Sequence, residues 1–572
     1  MSRSDLVLLH PPTVYDFRKK TILYGPVSDV VPSTPIFEMY PIGFTSLAEY
    51  LERVGYRVRI VNLAVRMLNN PRFDAEEQIR KIESSLFGID LHWLPHVQGA
   101  IEVARLVKKH HPTSAVVMGG LSASYYSREL MQYPEVDYVL RGDSTEEPLR
   151  QLMDCLSKGG DHSSVPNLTW RDAKGEIREN PLSHVPSSLD DVMLDCYDHT
   201  LRSVVRHLDL LNYIPFKRWL RYPIMGVLTC RGCTRNCAFC GGSSFAFRRV
   251  CNRDKTAFRP PEAVARDVKQ IQRISRGPIF ILGDIRQPGN GYADRLLDLL
   301  HRQKVKNQVM IEIFGPASEG FLRAMGEVCP GFCIEISPDS HDPEVRRAMG
   351  KNYTNEAVEE TALNAVKAGC KRVDVFFMIG LPHQTYQSVM DTVNYCESLL
   401  QRPGLEKKVI PFIAPLAPFL DPGSLAFEYP ERYGYRLFYR TLEEHRRALL
   451  TPSWKYMLNY ETQWMTRDEI VSSTYEAGLR LNRMKAKHGI ISTDTARDIE
   501  RRTIRASQMI EQIDEIVAQG EPAAMEERLA HLKSSIDDAS MSTVCEKTEL
   551  ELPVGLIKLN PLRALWSLLS GQ

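Results

Sequence analysis

"CRGCTRNCAFC", residues 230–240, places four cysteines within eleven positions, and the fold follows from how they are grouped. Grouped as Cys230/Cys233 and Cys237/Cys240, they would form a four-thiolate zinc site, but the three residues between the pairs are far fewer than a zinc knuckle uses. The other grouping is a triplet, Cys233-x-x-x-Cys237-x-x-Cys240, with Phe239 just before its last member and Cys230 outside it. The β-rich stretch "YPIMGVLT" (222–229) precedes the cysteines, so their loop hangs from the C-terminal end of a strand.

Downstream, helices and strands alternate. "PEAVARDVKQIQRI" (261–274) reads as a helix, "PIFILGD" (278–284) as a strand, "GYADRLLDLLHRQ" (291–303) as a helix and "QVMIEIFGPA" (308–317) as a strand. "GFCIEISPDS" (331–340), "NEAVEETALNAVKAGC" (355–370) and "KRVDVFFMIGLP" (371–382) continue the pattern. These βα units have the length a partial barrel requires, with polar residues at the strand ends where catalysis in such barrels gathers.

Upstream the same alternation occurs. "DLVLL" (5–9) is a strand stopped at "HPP". "PIGFTSLAEYLERVGYRVRIVNLA" (41–64) gives a helix with Leu47, Leu51 and Val54 on one face, a Gly55 stop and a β-branched strand. "SSLFGID", "SAVVMGG" and "VDYVLRGD" supply three more strands. Alternating strands and helices imply an open, doubly wound parallel sheet whose ligand sits beyond the strand C-termini. His10, Asp90, His92, Gly119, Gly120 and Gly142 lie at those ends.

The order "LLHPP", "PIGFTSLAEYLERVGYRVRIVN", "VVMGGLSAS", "VDYVLRGDSTEEPLRQL" resembles the cobalamin-binding domain of cobalamin-dependent radical S-adenosylmethionine enzymes. The cysteine triplet resembles their cluster loop, "FILGD" their second strand, "IEIS" with "RRAMGKNYT" their "GIES…K…T" stretch, and "MIGLPHQT" their "GLPGET" turn. The resemblance spans about residues 3–400. It implies an α/β chain in four parts: a Rossmann-like cobalamin-binding domain (1–155), a connector (156–220), a partial (β/α)6 barrel (221–410) and a mainly helical C-terminal domain (411–572).

It also implies a 4Fe-4S cluster held by Cys233, Cys237 and Cys240, with the fourth iron open to S-adenosylmethionine. Cys230 would close that iron as a ligand and is read as a buried thiol, as is Cys251. Gly241, Gly242, Gly283, Asp284, Glu335 and Ser337 are the expected S-adenosylmethionine contacts. Lys351, read as a solvated lysine, and Tyr353 are weaker candidates. The six upstream strand-end residues are the expected cobalamin contacts. The Asp-x-His-x-x-Gly motif of methionine-synthase-type cobalamin domains is absent: Asp90 and His92 follow the third strand, and Pro95 stands where the glycine would be. Cobalt ligation by His92 and a corrinoid with no protein histidine below it both stay open.

The implied activity is reductive cleavage of S-adenosylmethionine to a 5′-deoxyadenosyl radical, followed by methylation of an unactivated carbon through methylcobalamin. Two alternatives are radical rearrangement, cyclisation or carbon–carbon coupling, and a corrinoid or redox sensor without catalysis. The expected partners are a small-molecule or lipid substrate and an electron donor such as flavodoxin or ferredoxin.

With 72 Lys+Arg against 71 Asp+Glu, nothing in the overall charge argues for a nucleic-acid partner. The apolar run near the N-terminus is too short for a signal peptide or a membrane span, which places the expectation in the cytoplasm. "PFIAPLAPFLDPGSLAFEYPERYGY" (411–435) reads as an ordered loop over the barrel mouth. Thr466 and Glu469 have capping-box spacing ahead of a helix, and Ile499, Ile504, Ile513 and Ile516 mark another. The last stretch, 553–572, carries Leu562, Leu565, Trp566 and Leu569 on one helical face, which either docks on the protein or makes a peripheral membrane contact.

Overall fold

The computed structural model of the chain describes residues 4–26, 33–190, 197–416, 418–519, 522–540 and 545–552. The expected helix over 553–572 lies outside the described residues. The first sheet contains β1 (Ser4–His10), β2 (Val58–Asn62), β3 (Ser84–Asp90), β4 (Ala115–Gly119) and β5 (Tyr138–Leu140), parallel in the order β2-β1-β3-β4-β5. That order reverses between β1 and β3, and a doubly wound sheet binds ligands at such a switch point, beyond the strand C-termini. His10 and Asp90 end the two strands that flank it.

The hairpin expected in the connector belongs to this sheet instead. Strands β6 (Leu168–Arg171) and β7 (Ile177–Glu179) add antiparallel to the β5 edge. Trp170 sits opposite Tyr138 and also donates Nε1–H to the Asn180 side chain at 3.1 Å, giving the hairpin a reason to stay on the edge. The helix Gly43–Arg53 buries Phe44, Ala48 and Leu51 rather than the expected face through Val54, which is exposed beyond the helix end.

The second sheet is the partial barrel. Strand β8 (Met225–Leu228) leads into a two-residue ribbon, β9 (Cys230–Arg231), which pairs with β10 (Ala257–Phe258) around the cysteine loop. Then β11 (Ile279–Leu282), β12 (Val309–Ile313), β13 (Cys333–Asp339), β14 (Arg372–Ile379) and β15 (Val409–Pro415) follow. All six barrel strands are parallel in the order β8-β11-β12-β13-β14-β15. Their outward faces, such as Ile281, Ile311, Ile334 and Val375, join the large core under the helices.

Residues 545–552 cross the open side between β15 and β8. Cys545 and Leu550 pack with Phe376 and Phe412, and Leu552 packs with Phe216 and Tyr222. Lys485 and Glu549 form a buried pair at 2.8 Å beside them. In the helical region, Thr466 and Glu469 make the expected capping box. Ile499, Ile513 and Ile516 are buried, whereas Ile504 faces outward. A small ribbon, β16 (Tyr435–Leu437) with β17 (Tyr460–Thr462), closes the chain's return to the barrel.

One close approach fixes where β1 delivers its last residues. Gly99, in the helix Val97–His110, lies so near the turn after His10 that a Cβ there would sit 1.8 Å from the Pro12 carbonyl oxygen. No rotamer change relieves a backbone clash, so Gly99→Ala is expected to destabilise the chain by about 2–3 kcal/mol. The expected result is a lower midpoint in denaturant unfolding.

Candidate active site

The first sheet ends in a buried polar knot. His10 Nδ1 lies 2.8 Å from Asp90 Oδ1, and His10 Nε2 and His96 Nε2 lie 3.0 and 2.8 Å from the same acceptor, the Phe37 carbonyl. Burial works against the Asp90 charge, but His10 beside it holds the carboxyl below its usual range. Burial pushes His96 down to about 4. His10 has no exposed surface and sits beneath the strand ends.

Above the knot the edge is open. Gly120 has φ +116°, and a Cβ there would meet His92 N and Cα at 2.6 Å. Glycine is therefore required for the chain to leave β4 against the Leu91–His92 backbone. The nearest atom to a Cβ on Gly119 would be the Leu140 oxygen at 3.7 Å, leaving bare backbone beside it. The His92 ring makes no hydrogen bond to another described residue, and burial lowers its pKa, so it presents a neutral imidazole. Trp93 is 39% exposed at the same edge. A large flat ligand needs an edge of this kind: glycines where it approaches the backbone, an apolar ring beside them, and no buried charge facing it.

Opposite lies the cysteine loop. Cys233, Cys237 and Cys240 are all free thiols, each raised in pKa by burial. Backbone amides of Arg235 and Gly242 donate to Cys233 Sγ and Cys240 Sγ, each at 3.3 Å. Amide donors aimed at sulfur suit thiolates, and the missing positive charge is what iron supplies. Among the described residues no three His, Cys, Asp or Glu side chains converge on a single ion. Three thiols on one loop suit a cluster that keeps its fourth iron open, and the three residues between Cys233 and Cys237 are too few for the paired zinc grouping. Cys230, pushed up to about 11 by burial, points at Gly283 and its Sγ contacts the Gly232 carbonyl.

The barrel strands bring further groups to this mouth. Glu312, Glu335 and Asp374 share one rung across β12, β13 and β14, and Gly283 N donates to Glu312 at 2.7 Å. Glu335 is nearly buried on that rung. The Ser337 carbonyl accepts from Lys351 Nζ, which also pairs with Asp339 at 2.8 Å. Lys351 is thus a buried cation behind Cys237, not the solvated lysine its sequence context suggests; burial disfavours its charge, and Asp339 outweighs that. Asp284 is held at the rim of the mouth. Arg286 and the Phe314 amide occupy both of its carboxylate oxygens, and it lines a cleft of about 700 Å³ with Arg235, Gln287 and Phe321.

The two sheets are clamped together by residues whose roles are not legible in the sequence. Arg253 grips Asp143 with two nitrogens, Nη2–Oδ1 at 2.9 Å, and also donates to the Pro186 carbonyl. Arg231 grips Glu146, Nη1–Oε2 at 2.9 Å, and Ser46 completes the group at 2.6 Å. Both pairs are buried. Asp143 follows Gly142, and Arg231 sits between Cys230 and Gly232, so the strand-end edge of one sheet faces the cluster loop of the other. Residues 418–429 fill the seam: Tyr125 donates to Glu428 at 2.7 Å, Arg249 pairs with Glu428 at 2.6 Å, and Gly241 N donates to Asp421 at 2.9 Å. Asp421 keeps an accessible side chain, and the surrounding protein pushes its carboxyl up to about 6 against the hydrogen bond from Gly241.

Comparison with known proteins agrees with both halves. Residues 29–150 match the B12 binding domain family, and residues 227–396 match the radical SAM superfamily. The chain belongs to the cobalamin-dependent radical S-adenosylmethionine enzymes. The bound groups such a chain uses are a 4Fe-4S cluster, S-adenosylmethionine and cobalamin. It is 23% identical over 290 residues to the hopanoid C-3 methylase of Methylococcus capsulatus, covering 49% of this chain and 50% of the methylase. It is 24% identical over 416 residues to an uncharacterized methyltransferase of Pyrococcus horikoshii, covering 70% of this chain and 79% of the other. The chain thus spans half the length of the hopanoid methylase. In fold it resembles the radical S-adenosylmethionine methyltransferase TsrM of Kitasatospora setae with cobalamin and cluster bound (TM-score 0.54, 18% identity, 76% of this chain and 80% of that one). It also resembles the cobalamin-dependent enzyme OxsB (TM-score 0.51, 13% identity, 94% and 72%).

Two outcomes are expected. Cys233→Ala, Cys237→Ala and Cys240→Ala each lose the iron, sulfide and visible absorbance of anaerobically reconstituted protein, whereas Cys230→Ala keeps them. Arg253→Ala leaves Asp143 buried and unpaired and costs about 3–5 kcal/mol in unfolding free energy, most of which Arg253→Met combined with Asp143→Leu recovers.

Proposed function

We propose that the chain is a radical S-adenosylmethionine C-methyltransferase in which one cavity, between the cobalamin edge and the cluster loop, holds the carbon to be methylated. The observation that carries this reading is the clamp: Asp143 with Arg253 and Glu146 with Arg231 turn the C-terminal edge of the first sheet onto the mouth of the second. When bound, the cluster with S-adenosylmethionine supplies a 5′-deoxyadenosyl radical, and cobalamin supplies the methyl group.

The chain's own residues position and enclose these groups. Cys233, Cys237 and Cys240 hold three irons, and the Gly241–Gly242 turn brings the Gly242 amide to Cys240. Gly283, Glu335 and Ser337 line the side on which S-adenosylmethionine lies, with Lys351 fixing the Ser337 backbone. Asp284 holds Arg286 at the rim. Gly119, Gly120 and Gly142 would give a corrin room, His92 and Trp93 would offer it neutral rings, and His10 with Asp90 braces the edge below. Residues 418–429 cover the seam between the two edges.

The substrate is a small molecule or lipid group that presents an unactivated carbon; a hopanoid C-3 methylase is among the relatives, which supports methylation at carbon. A flavodoxin- or ferredoxin-type donor supplies electrons at the exposed stretch 234–236, where Arg235 stands beside Cys233 and Cys237 and favours an acidic partner.

Reduced, fully loaded protein given methyl-deuterated S-adenosylmethionine tests the reading. Mass spectrometry is expected to find 5′-deoxyadenosine, S-adenosylhomocysteine and protein-bound cobalamin carrying the labelled methyl group. Cobalamin that stays unlabelled while deoxyadenosine forms would favour rearrangement or coupling, and absence of both products would favour a sensor.

A further inference from the structure

A brace for the Ser337 carbonyl needs no charge, yet at Lys351 the chain encloses an ammonium group in the barrel mouth, its side chain 12% exposed. Enclosing a charge is unfavourable unless another group compensates it. Asp339, 2.8 Å away and without exposed surface, compensates part of it. That carboxylate is itself held against preference. Asp339 ends β13 at φ +68°, in the left-handed region, where the register against β14 shifts. Its Oδ2 has no hydrogen-bond partner among the described residues. A strained backbone position carrying a half-satisfied buried carboxylate marks a place kept for function rather than for stability.

The loop after β13 fixes this pair against the cysteine loop. Arg346, fully buried, donates to the Ser340 and His341 carbonyls at one end of the loop and to the Tyr353 carbonyl at the other. Between those anchors the Met349 carbonyl accepts from the Ala238 amide at 3.4 Å. Gly350, at φ +85°, lies so near the cysteine loop that a Cβ there would be 3.3 Å from the Asn236 oxygen and 4.0 Å from Cys237 Cα. Lys351 is the next residue. Among the charges that act on Cys237 it is the strongest, and Asp339 opposes it. Arg235 acts on the same thiol, but its side chain is exposed, where water and salt screen it. Lys351 is enclosed and keeps its effect.

We propose that Lys351 sets the reduction potential of the cluster, with Asp339 as its counterweight. The inference rests on the cysteine triplet holding that cluster. Reduction carries one electron from the donor onto the cluster and makes it more negative by one charge, with no bond made or broken in the protein. An enclosed ammonium favours the more negative state and raises the potential, and a carboxylate lowers it. The two side chains therefore move the potential in opposite directions. A pair that only supported the loop would disturb it whichever member was removed.

Full-length protein, reconstituted anaerobically and without S-adenosylmethionine or substrate, is titrated with reduced mediators at one pH while the electron paramagnetic resonance of the cluster is followed. Asp339→Asn is expected to raise the ratio of reduced to oxidised cluster at a fixed potential by about threefold. Adding Lys351→Met to Asp339→Asn removes the ammonium without leaving a buried carboxylate unpaired. It is expected to lower that ratio about tenfold from the Asp339→Asn value, which is about 59 mV for a one-electron couple. Lys351→Arg keeps the charge and is expected to stay within about twofold of wild type. Iron and sulfide are counted in each protein, which separates a shifted cluster from a lost one. Full clusters with one common midpoint would overturn the proposal and leave the triplet assignment standing. Loss of the cluster from every variant would overturn it in favour of a loop support. A wild type that takes up no cluster would overturn the triplet assignment and this proposal together.

Discussion

Two guanidinium–carboxylate pairs, Arg253 with Asp143 and Arg231 with Glu146, cross from the barrel mouth to the edge of the first sheet, and the geometry of the site depends on them. A buried ion pair adds little net stability, because desolvation offsets most of the attraction. What it does impose is direction. A bidentate guanidinium donates to its carboxylate in one plane; Arg231 belongs to the cysteine loop and the Arg253 side chain lies against Gly232 within it, so the strand ends above Gly142 face the cluster side.

Once the two edges are opposed, the remaining features acquire a common purpose. The 418–429 segment touches the cobalamin edge through Tyr125, the helix after the cysteines through Arg249, and the cluster turn through Gly241. Residues 545–552 seal the flank of the partial barrel with Leu550 and Leu552, backed by the Lys485–Glu549 pair. A radical intermediate survives only where water and stray hydrogen donors are kept out, and these two segments supply that enclosure.

Much of this was legible in the sequence because it is local. The cysteine spacing, the alternating apolar runs and the capping box at Thr466 each lie within a few residues, and each element formed where its pattern placed it. What was hidden depends on long-range partners. Arg253 is 110 positions from Asp143, and Asp421 is 180 from Gly241, so neither has a local signal. Asp284 meets Arg286 at its own strand end, whereas the partner of His10, Asp90, lies 80 positions away and is likewise seen only in the assembled fold. Lys351 reads as a solvated lysine until β13 brings Asp339 beside it. The hairpin after residue 167 reads as a connector because its attachment depends on an open edge of β5 that only the assembled sheet reveals.

The central claim is that cobalt and cluster share one enclosed cavity across the clamped seam. Its most direct test is electron paramagnetic resonance of protein that contains both cob(II)alamin and the reduced cluster. The account predicts a resolved magnetic interaction between the two centres that weakens when Arg253 and Arg231 are both replaced. Two independent, superimposable spectra, unchanged by those replacements, would contradict it.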